Sequence, residues 1–322
     1  MAVAESREFL SRQSKAHGWF RGLFLVTAVS VFVLVVLGGV VRVTGSGLGC
    51  PDWPLCHGSI FPPLRLEGII EYTHRLVTSA IVGPLVVATS VVAWLAYRQE
   101  PWLAVPATIG VVLLLGQAVL GGVTVLNELS PGIVAGHLVL GEALLACMIL
   151  VVVVGFRGPL TLQSAGQEHG KTDRFPAMAL ASAVGLYLLM LTGAYVTASG
   201  ATGACTSWPL CHGSVFPSAR LPMIHMTHRL VAAVIGAFLM YTLHLGFRGR
   251  QRPAPVRSLS MAAAALFLAQ VMVGAATIWL GFPRSFIALH LSMATAVWTA
   301  VVAMVALSFA PRRAPSGVMS RG

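Results

Sequence analysis

Charged residues are scarce in this sequence. Only 10% of its 322 residues are Asp, Glu, Lys or Arg, whereas a soluble domain carries about a quarter. Hydrophobic residues make up 57% of the chain, and the mean hydropathy is +0.83. This composition excludes an ordinary soluble domain and indicates a protein that resides in the lipid bilayer.

Acidic residues are the scarcer charged class, with 10 Asp and Glu against 21 Lys and Arg and a formal net charge of +11. A basic chain can bind nucleic acid, but that function needs basic side chains clustered on one stripe or face. The sequence has no basic stripe interleaved with aromatic residues, so we predict no nucleic-acid partner.

The basic residues instead indicate the membrane topology, because Lys and Arg concentrate in cytoplasmic segments. If the N-terminus is cytoplasmic, fifteen of the 21 basic residues lie on that side. We therefore expect a multi-pass protein of a prokaryotic plasma membrane, with both termini in the cytoplasm and the cysteine-containing loops outside. The outer side then keeps six basic residues: Arg42, Arg65, Arg75, Arg220, Arg229 and Arg284.

Long apolar runs divide the chain into membrane-spanning segments. A helix needs about 20 residues to cross about 30 Å of hydrocarbon. The first run is too long for the apolar region of a signal peptide, and no convincing A-x-A cleavage site follows it, so we expect it to remain as a helix. Eight runs qualify, near 22–44, 69–97, 102–126, 132–155, 176–197, 222–247, 257–280 and 285–309.

The two halves of the chain repeat one another. The stretch CPDWPLCHGSIFP at 50–62 recurs as CTSWPLCHGSVFP at 205–217, and THRLV at 73–77 recurs at 227–231. Along the repeat the offset changes only from 155 residues at the cysteine stretch to 153 in the pairs that follow: Gln117 with Gln270, Thr124 with Thr277 and His137 with His290.

Each half therefore carries four helices. Because that number is even, both copies insert in the same direction, as parallel repeats about an axis along the membrane normal. We predict an all-α integral membrane fold of eight transmembrane helices in two parallel-repeat four-helix bundles. The predicted segments are a cytoplasmic N-terminal segment (1–21), the first half (22–155), a cytoplasmic linker containing Gly and Pro (156–175), the second half (176–309) and a cytoplasmic tail (310–322).

Four histidines fall inside predicted spans: His74, His137, His228 and His290. An ionisable residue inside a span is costly and so indicates a function. The four occupy the second and fourth helices of each half, where two imidazoles can hold a heme iron from both sides across a bundle. Hydrogen-bonded core histidines are the alternative, and structural zinc would need four clustered ligands. We favour one heme site in each half.

Arg75 and Arg229 directly follow two of these histidines. At the outer interface, a guanidinium can pair with a carboxylate such as a heme propionate, or it can extend to lipid headgroups. Covalent attachment of the c type is not predicted, because the segment before His57 lacks the first cysteine of C-x-x-C-H.

The halves differ in their acid-base residues. Glu71 lies three residues before His74 and shares its helical face, where a carboxylate could exchange protons beside a porphyrin. The alternative for Glu71 is a favourable interaction with the helix dipole, and for Glu142 it is a polar contact between helices. The residues found only in the first half, each with its counterpart, are Glu71 (His225), Glu142 (Thr295), Asp52 (Ser207) and Arg42 (Thr197).

Four of the five cysteines lie in two long outer loops. The five residues between Cys50 and Cys56 allow a disulfide, and Cys205 with Cys211 repeats that spacing. An oxidising outer compartment permits such bonds. Each pair could be a structural staple or a redox-active pair near a heme edge. Cys147, inside a span, is interpreted as a small buried hydrophobic residue.

Together, the bundle histidines, the Glu71-x-x-His74 motif, the paired loop cysteines and the two four-helix halves resemble the heme A synthase family over residues 22–309. The resemblance implies an enzyme that oxidises the C8 methyl group of heme O to a formyl group, giving heme A for terminal oxidases. It implies that His74 and His137 flank the substrate porphyrin, with Glu71 as the catalytic carboxylate near the reacting methyl group.

For the second half, the resemblance implies that His228 and His290 ligate a heme b that passes electrons. Cys50 and Cys56 match the loop cysteines associated with activity in the family. The expected partners are heme O as substrate, the lipid bilayer, and the proteins that supply and use the heme, a heme O synthase and the assembly of a terminal oxidase.

Two other functions use the same features differently. A di-heme b electron carrier between quinol and a partner would need the four histidines, but it does not explain why the carboxylates remain in one half. A membrane thiol-oxidising protein would use the loop cysteines and leave the histidines without a role.

Overall fold

The computed structural model describes residues 2–158, 160 and 173–310, with side chains from Gly18 onward. Regular structure in these ranges is helical, apart from one isolated β-bridge in each cysteine loop. The helices are α1 (Ala2–Thr44), α2 (Leu66–Val77), α3 (Gly83–Tyr97), α4 (Pro101–Leu126), α5 (Pro131–Arg157), α6 (Phe175–Ala198), α7 (Arg220–Arg248), α8 (Ala254–Trp279) and α9 (Arg284–Ser308).

The predicted all-α fold with eight spans is confirmed. Eight helical segments of the described chain are long and apolar enough to cross a bilayer, the second formed by α2 and α3 together. The first helix begins at Ala2, about twenty residues before the apolar run, because no proline or glycine interrupts residues 2–17. Most of the predicted linker and all of the tail beyond residue 310 lie outside the described residues.

The second span contains a π turn at Thr78–Val82, where the amide of Gly83 donates to the carbonyl of Thr78. Pro84 follows directly and has no amide hydrogen to offer the preceding turn, so the helix widens by one residue there. The repeat-matched α7 has no proline at this depth and is one continuous α-helix.

Each half closes into a ring of four spans. In the first half, α1 packs on α3, α3 on α4, α4 on α5, and α5 on α1, while in the second half α6, α7, α8 and α9 pack in the same cyclic order. The second and fourth spans of a half therefore lie diagonally opposite each other. This arrangement is the predicted four-helix bundle, and it places the histidine-bearing spans across the bundle axis.

The halves meet through α1 and α5 on one side and α6 and α9 on the other. The most apolar windows of α5 and α9 are 50% buried, against 28–33% in the other spans, so these two helices form the centre of the molecule. Their contact contains a hydrogen bond from Thr295 Oγ1 to Glu142 Oε1 (2.6 Å).

Two hydrogen bonds between the halves join positions that the sequence repeat matches. One is the bond between Thr295 and Glu142, and the other runs from Arg42 Nη2 to the carbonyl of Thr197 (2.8 Å). A contact between equivalent positions of two copies lies on the axis that relates them. We therefore infer a pseudo-twofold axis that passes between α5 and α9 and between α1 and α6.

Candidate functional site

The four histidines of the spans form two pairs. His74 on α2 and His137 on α5 belong to the first bundle, and His228 on α7 and His290 on α9 belong to the second. In the second bundle, both imidazoles line the same cavity. The two histidines of a pair come from diagonally opposite spans. They therefore lie on opposite sides of the bundle interior and not at the contact between two neighbouring helices.

A glycine of a neighbouring helix lies against each imidazole, and the four glycines also follow the sequence repeat. A methyl group added at Gly274 would lie 2.9 Å from His290 Cε1, and one at Gly193 would lie 3.0 Å from His228 Cε1. In the first half, the corresponding distances from Gly38 to His74 and from Gly121 to His137 are both 3.3 Å. The glycines thus leave room for rings that a larger residue would push aside.

These glycines escaped the sequence analysis, although a signal for them was present. Gly38 and Gly193 are 155 residues apart, and Gly121 and Gly274 are 153 residues apart, within the 153–155-residue offset of the sequence repeat. Glycine has no reactive side chain, and its role here depends on the close approach of an imidazole from another helix. The sequence around each glycine does not show which helix will approach it.

The imidazoles have few hydrogen-bond partners. No hydrogen bond within the described residues reaches the Nε2 atom of any of the four, and the Nδ1 atoms of His74, His137 and His290 are buried without a partner. The exception is His228, whose Nδ1 lies 2.8 Å from Thr192 Oγ1. Buried polar atoms are normally paired, so imidazoles left this way indicate a ligand bound between them.

A cavity of about 460 Å³ lies in the second half between His228 and His290. Its wall is mostly apolar, with Gln270, Arg229 and the loop residue Trp208 among its polar and aromatic members. Ligand pockets typically measure about 300–1,000 Å³ and are mainly hydrophobic with a few polar groups. The cavity and the facing imidazoles fit a porphyrin whose iron is held from both sides.

The histidines are arranged in pairs and not in larger groups. Within the described part of the chain, no three His, Cys, Asp or Glu side chains cluster as they would around a metal ion held by protein ligands alone. A porphyrin supplies four equatorial nitrogens of its own and needs only two axial ligands from the protein. The pairs therefore suit heme in both halves.

Glu71 lies at the junction of α2 with the first cysteine loop. Its side chain is buried, with only 4% of the residue exposed. Oε2 accepts a hydrogen bond from the Cys50 amide (2.8 Å), and Oε1 pairs with the Arg75 guanidinium (2.5 Å). The carboxylate therefore connects the disulfide loop to the helix that carries His74. This is a different environment from the isolated helix-terminal carboxylate considered as the alternative.

Arg75 and Arg229 bind the cysteine loops. Arg75 donates to the carbonyls of Cys50 (2.9 Å), Asp52 (2.9 Å) and Leu55 (2.7 Å). Arg229 makes the equivalent contacts in the second loop, to Cys205, Ser207, Pro209 and Leu210. Each guanidinium thus fixes a loop over its bundle, a role that the sequence analysis did not foresee. Their predicted contact with heme propionates stays a prediction.

Disulfides join Cys50 to Cys56 and Cys205 to Cys211. In the first loop, Asp52 accepts hydrogen bonds from the amides of Gly58 (2.7 Å) and His57 (2.6 Å). The bond from Gly58 is the main reason why the pKa of Asp52 is lowered. Asp52 is therefore a loop-stabilising carboxylate. Ser207 takes its place in the second loop by accepting from the His212 amide (2.8 Å).

His225, the counterpart of Glu71, lines the cavity of the second half. It is buried, its Nδ1 lies 3.1 Å from the carbonyl of Ala201, and its Nε2 lies 3.3 Å from Arg229 Nη2. The second half thus keeps a side chain that contacts both the preceding segment and the loop-binding arginine of the same helix, but this side chain is not a carboxylate. His225 is therefore part of the pocket wall.

The histidine–glycine contacts predict a steric effect on heme binding. Gly274→Ala should weaken binding in the second half, because the added carbon meets His290 at 2.9 Å and overpacking typically costs about 1–3 kcal/mol, or about 5- to 150-fold. Heme content and the low-spin spectrum of purified protein provide the measurement. Gly132→Ala is the control, since nothing lies within 4 Å of the added carbon; equal spectra for both variants would contradict the steric role.

The fold and the site define the class of this protein: a multi-pass helical membrane protein with a paired-histidine site in each of two related bundles. The chain belongs to the family COX15-CtaA, described as cytochrome oxidase assembly protein, which matches residues 21–302. The family resemblance seen in the sequence is thereby confirmed.

Curated relatives are similar over most of the chain. The heme A synthase of Bacillus licheniformis is 33% identical over 226 residues, covering 68% of this chain and 73% of the relative. That of Alkalihalophilus pseudofirmus is 31% identical over 223 residues, covering 67% and 72%. That of an Exiguobacterium species is 29% identical over 250 residues, covering 77% and 79%.

Proposed function

We propose that this protein is a heme A synthase, an enzyme that oxidises the C8 methyl group of heme O to the formyl group of heme A. One observation carries the proposal beyond the family match. Two repeat-related histidine pairs face each other across two bundles, and a buried glutamate accompanies only the first pair. This asymmetry separates a reacting site from an electron-conducting one.

In the first half, His74 and His137 hold the substrate heme O between α2 and α5. Glu71 sits one helical turn from His74 with a carboxylate fixed by Arg75 and the Cys50 amide. At that place it accepts protons released as the methyl carbon is oxidised, a role for which a positioned carboxylate is suited. The loop bound by Arg75 covers the outer end of the bundle and limits access of water.

In the second half, His228 and His290 hold a heme b, which when bound provides a one-electron redox centre. The cavity between these histidines also contacts α1 and α5 of the first half through Val35, Val36 and Leu138. The second site therefore adjoins the interface between the two halves. Arg229 and Trp208 close its outer end.

The bulk of the basic residues supports a topology with both termini in the cytoplasm and both disulfide loops outside. Both sites then lie toward the outer half of the bilayer, because the histidines are near the loop ends of their spans. Heme O reaches the first bundle from a heme O synthase in the same membrane, and the product serves the assembly of a terminal oxidase.

The hemes extracted from the purified protein test this function against its alternatives. Heme O or heme A together with heme b supports the synthase, heme b alone supports a di-heme electron carrier, and no heme supports the thiol shuttle. The family membership already disfavours the carrier. Separation of the extracted hemes by chromatography, compared with a membrane fraction lacking the protein, decides among the three.

The two disulfide loops are expected to differ in importance. Cys50→Ser should lower the yield of heme A more than Cys205→Ser, because the Cys50 amide binds Glu71 whereas the second loop faces no carboxylate at that position. The two variants are matched controls for each other and are compared at equal protein levels. Equal losses, or a larger loss for Cys205→Ser, would reject the asymmetry.

A further inference from the structure

Glu142 is a buried carboxylate that the proposed reaction does not use. It lies on α5 at the contact between the two halves, and only 2% of the residue is exposed. Its Oε1 accepts the hydrogen bond from Thr295 Oγ1 (2.6 Å), while Oε2 is buried without a hydrogen-bond partner. The side chain also lines the cavity that contains His228 and His290. A half-satisfied carboxylate in an apolar wall is costly and needs an explanation.

A tether between the halves does not explain the carboxylate. Thr295 needs one acceptor, and the indole of Trp298 donates to the backbone carbonyl of Glu142 (2.9 Å) and not to its side chain. A glutamine would hold α5 against α9 equally well and would bring no charge into the bilayer. The ability of the carboxylate to ionise therefore has a role other than packing α5 against α9.

We propose that Glu142 is the proton-exchanging group of the second site. Its carboxylate takes up a proton when an electron enters the heme held by His228 and His290, and it releases the proton when the electron leaves. The inference rests on the proposed heme ligation by those two histidines. If an external reductant supplied one electron to a heme held by these histidines, one proton from water would convert the Glu142 carboxylate to a carboxylic acid, so no net charge would be added to the cavity.

The electrostatic reason is the low dielectric of the site. An electron added to an apolar cavity inside the bilayer is poorly screened, and a nearby proton offsets its charge. Proton uptake at Glu142 makes the second site easier to reduce. Because Glu142 lies on α5 of the first half, a residue of one half thereby affects the reduction of the site in the other half.

The other charged and titratable groups around Glu142 have different roles. The histidines of the cavity wall are ligands or bind Arg229, and the Tyr187 hydroxyl on α6 donates to the carbonyl of Val139 (2.9 Å). The helix α4 offers no titratable side chain. Among the described side chains, the other charged and titratable groups on the helices packed against α5 are Arg21 and Arg42 on α1, Tyr195 on α6, and Arg284 and His290 on α9; α5 itself carries His137, Cys147 and Arg157, and the cavity wall adds His225, His228 and Arg229 from α7.

Arginine stays protonated in proteins, and Arg42 is bound to the carbonyl of Thr197. Among the residues that line the cavity, Glu142 is the one carboxylate. It can therefore gain or lose a proton without breaking a contact that the other groups need.

The test compares purified, heme-loaded wild-type protein with Glu142→Gln and Thr295→Val. Reduction of wild-type protein should produce the infrared carbonyl band of a protonated carboxyl group, shifted in heavy water. The midpoint potential of the second site should fall as pH rises, because the reduced state binds the proton more tightly. Both effects should be lost in Glu142→Gln, which keeps an acceptor for Thr295, and both should persist in Thr295→Val, which keeps the carboxylate.

A wild-type protein that binds low-spin heme but shows neither effect would overturn the inference, and so would a Glu142→Gln variant that keeps both. If Glu142→Gln does not retain heme, the heavy-water experiment on wild-type protein alone still decides the matter. Failure of the wild-type protein to hold low-spin heme at all would instead count against the proposed function, because the ligand assignment itself would then be wrong.

Discussion

Replacement of Glu71 by Gln is expected to stop the reaction at heme O or at a half-oxidised alcohol, with little heme A formed. The substitution preserves the size of the side chain and an acceptor for the Cys50 amide, but it removes the group that accepts protons. Well-positioned acid-base groups typically contribute about 100- to 10,000-fold in rate. The heme pool of cells carrying the variant as the only copy, separated by chromatography, gives the result.

Glu67→Gln is the matched control for that experiment, because Glu67 lies on the same helix and is exposed. It should leave the heme pool unchanged. The bond to Arg75 also allows a structural role for Glu71, in which the carboxylate only anchors the disulfide loop. Normal heme A in the Glu71→Gln cells would reject the catalytic role, and a purified variant that no longer binds the substrate heme in its first half would indicate the structural one.

Replacement of His228 or His290 by Ala is expected to abolish low-spin heme in the second half. These two imidazoles are the only protein ligands proposed for that iron. Loss of a residue that only supports a metal ligand typically costs about 10- to 100-fold in affinity. A larger loss is therefore expected here. The reduced-minus-oxidised spectrum of purified protein measures it, with heme content normalised to protein.

His244→Ala provides the comparison, since His244 lies near the end of α7 that is remote from the cysteine loop and contacts Phe247. That variant should keep the wild-type spectrum. An unchanged spectrum in both His228→Ala and His290→Ala would show that the ligand assignment is wrong. Thr192 binds Nδ1 of His228. Any spectrum that remains in His228→Ala is therefore not expected to match the spectrum that remains in His290→Ala.

Much of the architecture could be read from the sequence, because it depends on local composition. The length and hydropathy of each run decide whether it can span the bilayer, and all eight spans were predicted within a few residues, apart from the early start of α1. The repeat placed His74 with His228 and His137 with His290 at equivalent positions. The diagonal arrangement followed from the helix count and antiparallel neighbours.

What the tertiary structure decided concerns the partners of individual side chains. An arginine at the interface can bind a propionate, a lipid headgroup or a carbonyl equally well by its chemistry, and only the path of the loops directs Arg75 and Arg229 to loop carbonyls. The glycines beside the imidazoles leave room for rings that are carried by other helices. Likewise, the bond between Glu142 and Thr295 exists because packing places repeat-matched positions on one axis, a relation in space that periodicity along the chain does not contain.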